Sequence, residues 1–173
     1  SLSLDVDNVS VIGAGPDKTV LSFKGQPQAG EGLLVTSDRV LLKGFAIEDT
    51  KGDGIKAKGV DRISFQDLRV EWTGGAKASN GAYGVYPVES TNVLVERVTV
   101  RYCSDAGIYV GQSDGVIVRR SRAEQNVAGI EVENTLNADV YDNVATGNTG
   151  GILVFNMPAL SQQGGAIRVY KNK

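Results

Sequence analysis

The sequence predicts an all-β solenoid whose short strands stack, coil upon coil, into three parallel sheets. The first observation behind this prediction is a repeated pattern of glycine, an aliphatic residue, any residue, and a small or aliphatic residue. The pattern begins at Gly32, Gly54, Gly84, Gly107, Gly129 and Gly151, at steps of 22, 30, 23, 22 and 22 residues. The second is that short segments with period-two aliphatic residues follow these occurrences, whereas no segment sustains the 3.6-residue apolar period of a helix.

Each coil is expected to contain three strands, with alternate residues of each strand pointing into the core. In the first strands the inward residues are Leu33, Val35, Ile55, Val85, Ile108, Val110, Ile130, Val132, Ile152 and Val154. The second strands carry pairs such as Val40 with Leu42, and the third strands carry pairs such as Phe45 with Ile47. Since stacked strands lie about 4.8 Å apart, six to seven coils of about 22 residues form a rod roughly 30 Å long.

The composition indicates a folded domain and excludes several kinds of function. The 173 residues are 41% hydrophobic and 22% charged, and 18 Lys and Arg against 20 Asp and Glu leave a net charge of −2. This balance lacks the basic surface expected of a nucleic-acid-binding protein. Histidine is absent, so no Ser-His-Asp triad, Cys-His pair or histidine metal site can form. Cys103 is the only cysteine, which excludes an internal disulfide, and we expect it to be a small buried residue.

The repeat and the opening segment 11–21 resemble the right-handed parallel β-helix proteins of the pectate-lyase-like superfamily. The resemblance covers nearly the whole chain and implies a single β-helix domain over residues 1–173. Two columns of polar residues are expected at the turns: Ser121, Asn143 and Asn172, and Ser104, Asn126 and Asn148. The first resembles the asparagine ladder of such proteins, in which side chains of stacked coils satisfy turn backbone groups. The superfamily hosts lyases, hydrolases, epimerases and adhesins, so the resemblance leaves the chemistry open.

The ends of the chain and its longest uncharged stretch bear on what surrounds the domain. Lys173 follows the last second strand without a polar cap, so we expect a fragment of a longer solenoid, or ends covered by further coils or another chain. The uncharged stretch 143–167 contains Asn, Pro, Gln and Gly residues, so we expect no membrane span. The resemblance implies a secreted, periplasmic or cell-surface protein, although no signal peptide opens the chain.

The outward residues of the first strands form the candidate binding surface. One outward column contains Leu34, Lys56, Tyr86, Tyr109, Glu131 and Leu153, and its neighbour contains Thr36, Lys58, Val88, Gly111, Glu133 and Phe155. Adjacent exposed tyrosines with hydrogen-bonding tips suit sugar rings. The predicted polysaccharide-binding residues are Lys56, Lys58, Tyr86, Tyr109, Glu131 and Glu133. Loops at 74–80 and 156–165 are expected to wall a groove here, whereas the alternative is that the tyrosines only stabilise the sheet as cross-strand pairs.

Asp53 and Asp105 are the candidate catalytic acids. Both lie where a first strand begins, two coils and therefore about 9–10 Å apart, near the outer limit for the carboxylate pair of an inverting glycosidase. The segments 52–55 and 104–107 resemble the acids of polygalacturonases, but the paired aspartates and the histidine of that family have no match here. The alternative is that both aspartates cap turns.

A lyase mechanism would use other residues of the same surface. Lys56 would neutralise a uronate carboxylate, and Tyr86 or Tyr109 would serve as base and acid. Asp and Glu oxygens leave calcium binding open, but no run of carboxylates has calcium-ligand spacing, so no metal or cofactor is expected. The outward charged residues of the third strands are expected to pair with one another across coils; they include Glu48, Glu71, Arg101 and Glu124.

Two functional hypotheses remain open. The first is an extracellular or cell-surface domain that binds polysaccharide and processes it as a lyase, epimerase or hydrolase. The second is a non-catalytic structural or adhesin-type scaffold. If the first holds, an acidic glycan is expected at the N-terminal end of the surface, where Lys56 and Lys58 are positive, because Glu131 and Glu133 make the other end negative.

Overall fold

The computed structural model describes residues 1–173 and contains twenty strands and no helix. The strands are β1 (Leu2–Leu4), β2 (Ser10–Ile12), β3 (Val20–Ser22), β4 (Leu33–Val35), β5 (Val40–Lys43), β6 (Ala46–Glu48), β7 (Ile55–Lys58), β8 (Asp61–Gln66), β9 (Arg69–Glu71), β10 (Val85–Val88), β11 (Thr91–Glu96), β12 (Thr99–Arg101), β13 (Ala106–Gly111), β14 (Asp114–Arg119), β15 (Arg122–Glu124), β16 (Ala128–Glu133), β17 (Leu136–Tyr141), β18 (Val144–Thr146), β19 (Gly150–Phe155) and β20 (Gly165–Tyr170). There is accordingly no helix long and apolar enough to cross a membrane.

The strands form three sheets in which neighbouring strands run parallel. Sheet A has the order β1-β4-β7-β10-β13-β16-β19, sheet B the order β2-β5-β8-β11-β14-β17-β20, and sheet C the order β3-β6-β9-β12-β15-β18. Each coil contributes one strand to each sheet in turn, so seven coils stack, and the seventh has no sheet C strand. The structure is a right-handed parallel β-helix, which confirms the predicted fold class and number of coils.

The interior of the β-helix consists of aliphatic columns. In sheet A, for example, Val85 pairs with Ile55 on one side and with Ile108 on the other. Eight of the ten residues predicted to point inward from this sheet belong to a core cluster of 29 buried residues. Ile152 and Val154 continue the same columns into the seventh coil, where Val154 is 46% exposed.

The predicted asparagine ladder lies at the corner between sheets B and C. The backbone N–H of Ser121 donates to Oδ1 of Asn143 at 3.0 Å. The backbone N–H and the Nδ2 of Asn143 both donate to Oδ1 of Asn172, each at 3.0 Å. Nδ2 of Asn143 also donates to the carbonyl of Val118. The ladder therefore satisfies corner backbone groups that the parallel sheets leave unpaired.

A second ladder lies at the corner between sheets C and A, where one predicted residue is wrong. The N–H of Asn126 donates to Oδ1 of Asn148 at 2.8 Å, as the column predicts. However, Oδ1 of Asn126 accepts from Cys103 rather than from Ser104, at 2.9 Å. The fifth coil has one extra residue between this corner and Gly107, so counting back from the repeated glycine misses the register by one.

A third ladder, at the corner between sheets A and B, was not predicted from the sequence. The N–H of Val60 donates to Oγ of Ser90, the N–H of Ser90 to Oγ of Ser113, and the N–H of Ser113 to Oγ1 of Thr135. Short hydroxyl side chains thus perform at this corner what asparagines perform at the other two. Because Ser and Thr are common throughout the sequence, this column does not stand out as the asparagine columns do.

The corners also hold residues in the left-handed backbone conformation. After the strands of sheet B, the equivalent residue in successive coils has φ between 51° and 55°; these residues are Asp67, Arg97, Arg120, Asp142 and Lys171. This conformation costs a non-glycine residue about 1–2 kcal/mol. Contacts between coils offset part of that cost, since Nε of Arg97 donates to Oδ1 of Asp67 at 2.6 Å.

The outward charges of sheet C pair across coils as predicted. Glu48, Glu71, Arg101 and Glu124 stand in register. Arg69 contacts Glu48 at 2.7 Å and also Glu71, and Nε of Arg101 donates to Glu124 at 2.8 Å. Each such pair on a partly solvated face contributes about 0–1 kcal/mol. The charged side chains on the outward face of sheet C therefore largely neutralise one another.

Shortening an inward side chain in the middle of the rod should be costly. Ile108→Ala leaves a cavity in a fully buried column, and we expect a loss of about 2–5 kcal/mol in the free energy of unfolding. Ile117→Ala, on the outward face of sheet B, is the matched control and should cost far less. Equal losses in chemical denaturation would contradict the assignment of inward and outward residues.

The ladder can be tested through its buried acceptor. Asn143→Ala removes the acceptor of the buried Ser121 N–H, and leaving that group unpaired should cost about 1–3 kcal/mol. Asn143→Ser should cost less, because serine already acts as a ladder acceptor at Ser121, whose Oγ accepts from the N–H of Val98. The measurement is urea denaturation of both variants; a larger loss in the serine variant would refute the role of the acceptor.

Candidate functional site

The outward surface of sheet A, called here the sheet A face, consists of three columns of side chains. The first column lies where the strands begin and contains Glu31, Asp53, Tyr83, Ala106, Ala128 and Gly150. The second contains Leu34, Lys56, Tyr86, Tyr109, Glu131 and Leu153, and the third contains Lys58, Val88, Gly111, Glu133 and Phe155. The second and third columns have the register predicted from the sequence.

Three tyrosines form a cluster at the centre of the sheet A face. The ring centroids of Tyr83 lie 4.8 Å from that of Tyr86 and 4.5 Å from that of Tyr109, and the latter two are 5.1 Å apart. Together with Ala106 and Ala128 they make a small apolar cluster outside the main core. This tyrosine cluster gives the face an aromatic centre with hydroxyl groups at its rim.

The expectation that Tyr86 and Tyr109 are both exposed is wrong for Tyr109. Its side chain is only 9% exposed, whereas Tyr86 is half-buried. The ring of Tyr109 lies beside Gly111, where a Cβ atom would approach its Cε1 to 3.0 Å, and Tyr83 packs against it. Tyr83 was missed because it precedes strand β10. When the coils are aligned on their glycines, Tyr83 falls in the column of Asp53. This alignment could have identified Tyr83 as a residue of the site.

Lys56 lies at the N-terminal side of the tyrosine cluster. Its Nζ is 5.2 Å from the ring centroid of Tyr86, a cation–π distance, and 3.9 Å from Oε1 of Glu31. Lys58, one row further along the strand, is exposed. Lys56 is therefore oriented by two neighbours, while the predicted partner Lys58 faces solvent.

Asp53 is held at the edge of the cluster. Its Oδ1 accepts a hydrogen bond from the backbone N–H of Tyr83 at 3.2 Å. Burial raises the pKa of Asp53, and the hydrogen bond from Tyr83 and the charge of Lys56 offset part of that rise. The carboxyl group therefore both fixes the start of strand β10 and points to the region where Tyr83, Tyr86 and Lys56 meet.

Glu131 and Glu133 lie one coil beyond Tyr109, on the C-terminal side of the cluster, whereas Asp105 directly precedes strand β13, which contains Tyr109. Burial, and then the charge of Asp105, raises the pKa of Glu131. Burial also raises the pKa of Glu133, whose side chain is buried. The carboxyl groups predicted as site residues thus divide into Asp53 on the N-terminal side of the tyrosine cluster, Asp105 in the coil of Tyr109, and Glu131 and Glu133 on the C-terminal side.

The tyrosine hydroxyls hold their protons firmly. Burial, followed by the charge of Asp105 and other acids, raises the pKa of Tyr83 to about 12. Burial and the charge of Asp53 likewise raise the pKa of Tyr86. A phenol of this kind is a hydrogen-bond donor at neutral pH and a poor general base, which weighs against Tyr86 as the base of a lyase.

A comparison of the sequence with protein families identifies the architecture independently. Residues 21–167 match the family described as right handed beta helix region. The chain belongs to this right-handed β-helix family. A search of curated proteins gives no match for this β-helix.

Two solved structures share the fold of this β-helix at low sequence identity. A rhamnogalacturonan lyase superposes with a TM-score of 0.59 and 12% identity, over 99% of the β-helix and 47% of the lyase. The catalytic domain of a GH87 α-1,3-glucanase in complex with tetrasaccharides superposes with a TM-score of 0.54 and 14% identity, over 90% of the β-helix and 32% of that chain. The β-helix therefore spans less than half the length of either structure.

Loops of the β-helix border the sheet A face on two sides. The loop 73–82 follows sheet C and leads directly into Tyr83, at the edge where the strands begin. The loop 156–164 leaves the opposite edge and folds back over earlier coils, since Nε2 of Gln162 donates to the carbonyls of Ser113 and Asn134 at 3.0 and 2.8 Å. Both predicted loops thus lie beside the face, one at each edge.

The raised pKa of Glu131 predicts a pH-dependent stability. Its protonated form is favoured in the folded β-helix, so its stabilising contribution is full below its ordinary value near 4.5 and is lost as pH rises through the higher folded pKa. Glu131→Gln should therefore raise the melting temperature at pH 7.5 and leave it unchanged at pH 3.5.

The opposite sign is expected at Glu124, the control for this measurement. Burial acts against ionisation there, but hydrogen bonds from Arg101 and Arg122 prevail and lower the pKa of Glu124. Glu124→Gln should consequently lower the melting temperature at pH 7.5. A lower melting temperature for Glu131→Gln at pH 7.5 would contradict the burial of an unpaired carboxylate on the sheet A face.

Proposed function

We propose that this protein binds a neutral polysaccharide along the sheet A face. The observation that carries the proposal is the tyrosine cluster flanked on both sides by partly buried carboxyl groups. Half-buried rings of Tyr83 and Tyr86 offer an apolar platform, while Asp53 and Glu131 offer acceptors for sugar hydroxyls. A sugar ring is amphipathic in the same way, with apolar C–H faces and a polar rim.

The spacing between successive coils matches the length of one sugar residue of such a polysaccharide. Equivalent side chains of successive coils stand about 4.8 Å apart, which is close to the length of one sugar ring. A glycan chain lying over the face can therefore meet a comparable set of groups at each coil. The tyrosines lose little side-chain entropy on binding, because neighbouring rings already fix them.

The charges of the face favour a neutral glycan over a polyuronate. Five carboxyl groups border the tyrosine cluster, from Glu31, Asp53, Asp105, Glu131 and Glu133, against the two cations of Lys56 and Lys58. Lys56 is already engaged with Glu31 and with the ring of Tyr86. An acidic glycan would meet net repulsion, so we replace the expectation of an acidic ligand at the N-terminal end by a neutral one.

The structural neighbours support the ligand class by analogy only. One is named a rhamnogalacturonan lyase and the other is an α-1,3-glucanase in complex with tetrasaccharides. Proteins that act on such polymers are commonly exported, and we extend the proposal to a secreted or cell-surface location.

A non-catalytic scaffold is the second candidate, and one observation favours it. Tyr109 is buried beneath its neighbours, so part of the tyrosine cluster serves packing within the sheet A face rather than contact with a ligand. Under this proposal the face would have no glycan affinity, and the tyrosines would contribute only to stability.

Binding should depend on Tyr86. In a panel of neutral glycans and polyuronates, we expect a neutral glycan to bind and Tyr86→Ala to weaken that binding about tenfold, or about 1.4 kcal/mol, because the stacking surface is lost. Tyr170→Ala, from the stacked pair with Tyr141 on sheet B, is the matched control and should leave affinity unchanged.

The same incubations separate the alternatives. Release of reducing ends or unsaturated products would show catalysis and make Asp53, Asp105 and Lys56 the residues to substitute, whereas binding without products would indicate a recognition module. Unchanged affinity in a folded Tyr86→Ala variant would move the site away from the sheet A face. No binding by the unaltered protein would leave the scaffold as the function.

A further inference from the structure

A cavity lies at the corner between sheets C and A, next to the sheet A face. This corner cleft has a volume of about 680 Å³. Its lining includes Ala76, Lys77, Ala78, Ser104, Gln125 and Val127. The volume falls within the roughly 300–1,000 Å³ that small-ligand sites in proteins occupy.

The corner cleft exists because the third coil is longer than the regular repeat of about 22 residues. The step from Gly54 to Gly84 is 30 residues, and the additional residues form the loop 73–82, which reaches the corner of the following coils. Insertions of this kind leave the sheets in register, since Ile55 still pairs with Val85. The loop thus adds a wall to a surface that the regular repeat would leave open.

The wall is held in place by hydrogen bonds at its base. Nδ2 of Asn80 donates to the carbonyls of Gly75 and Tyr102, at 2.9 and 2.7 Å. The N–H of Ser104 donates to the carbonyl of Gly81 at 3.0 Å. Because the loop is tied both to itself and to the fifth coil, the corner cleft is formed before any ligand arrives.

The lining combines apolar and polar groups. Val127 is 48% exposed although it is aliphatic, and two alanines of the loop lie opposite it. Lys77, Ser104 and Gln125 supply a cation, a hydroxyl and an amide. This mixture suits a sugar residue, which presents C–H groups and hydroxyls together, better than it suits a purely apolar or an ionic ligand.

The floor of the corner cleft continues directly into the sheet A face. Ser104 and Val127 immediately precede Asp105 and Ala128, and the N–H groups of Val127 and Ala128 both donate to the carbonyl of Asp105 at 3.0 Å. Ala128 packs in the tyrosine cluster. The cleft and the sheet A face therefore adjoin each other at the edge where the strands begin.

We propose that the corner cleft binds the terminal sugar residue of the neutral polysaccharide that lies on the sheet A face. The inference rests on the proposed function and adds the path of the ligand. The glycan does not run only along the axis of the rod: its end turns over the edge where the strands begin and enters the cleft between the loop 73–82 and Val127. Lys77 and Gln125 then bond its hydroxyls.

The test uses oligosaccharides of increasing length. Xylo-, manno- and α-1,3-gluco-oligosaccharides of two to six residues are titrated by calorimetry against the unaltered protein and against Val127→Arg, which fills the cleft from an exposed position. We expect Val127→Arg to weaken binding of the longest oligosaccharides at least fivefold and to leave the shortest unchanged. Ser64→Arg, which adds the same side chain to the outward face of sheet B, should change neither.

The possible failures are distinguishable. If Val127→Arg binds oligosaccharides of every length as the unaltered protein does, or weakens all lengths equally, the cleft is not a separate subsite while binding on the sheet A face stands. If no oligosaccharide binds the unaltered protein, the proposed function fails and this inference fails with it. If Val127→Arg lowers the melting temperature of the protein, the variant Lys77→Ala, on the exposed loop, is used instead. Lys77→Ala should likewise weaken binding of the longest oligosaccharides and leave binding of the shortest unchanged.

Discussion

The hydrogen bonding of each coil to the next is the constraint on which the rest of this structure depends. A strand in sheet A finds its partners one coil before and one coil after it, never within its own coil. Every coil must therefore return to the same register, whether it contains 22 residues or, with an inserted loop, 30. Once it does, equivalent residues of successive coils share one environment, and this makes columns of Val and Ile inside and columns of functional groups outside.

The corners between the sheets hold the residues that do not fit the regular strand pairing. They hold the left-handed residues, the polar ladders and the loops that make one coil longer than another. A longer loop adds little closure entropy, because that cost grows only with the logarithm of length. Chemical variety can thus accumulate at the corners and at the outward columns beside them while the core stays uniform. The tyrosine cluster and the corner cleft are both placed in this way.

The sequence contains enough to predict the coils, the sheets and the outward columns, because each follows from period two within a strand and a fixed step between coils. It does not contain the burial of Tyr109, which depends on Tyr83 arriving from a loop and on the missing side chain of Gly111. Nor does it mark Arg97 and Arg120 as left-handed, since arginine has no local preference for that conformation. Such features arise from contacts between coils, which local pattern cannot encode.

Cys103 offers a way to measure local opening of the β-helix. It is the one thiol in the chain, it is 3% exposed, and burial raises its pKa well above the ordinary value. A thiol in that state reacts slowly with alkylating reagents, because the thiolate is the reactive form and the sulfur is covered. Its backbone N–H is also a rung of the ladder on Asn126. The labelling rate of this cysteine therefore reports how often the structure around it opens to solvent.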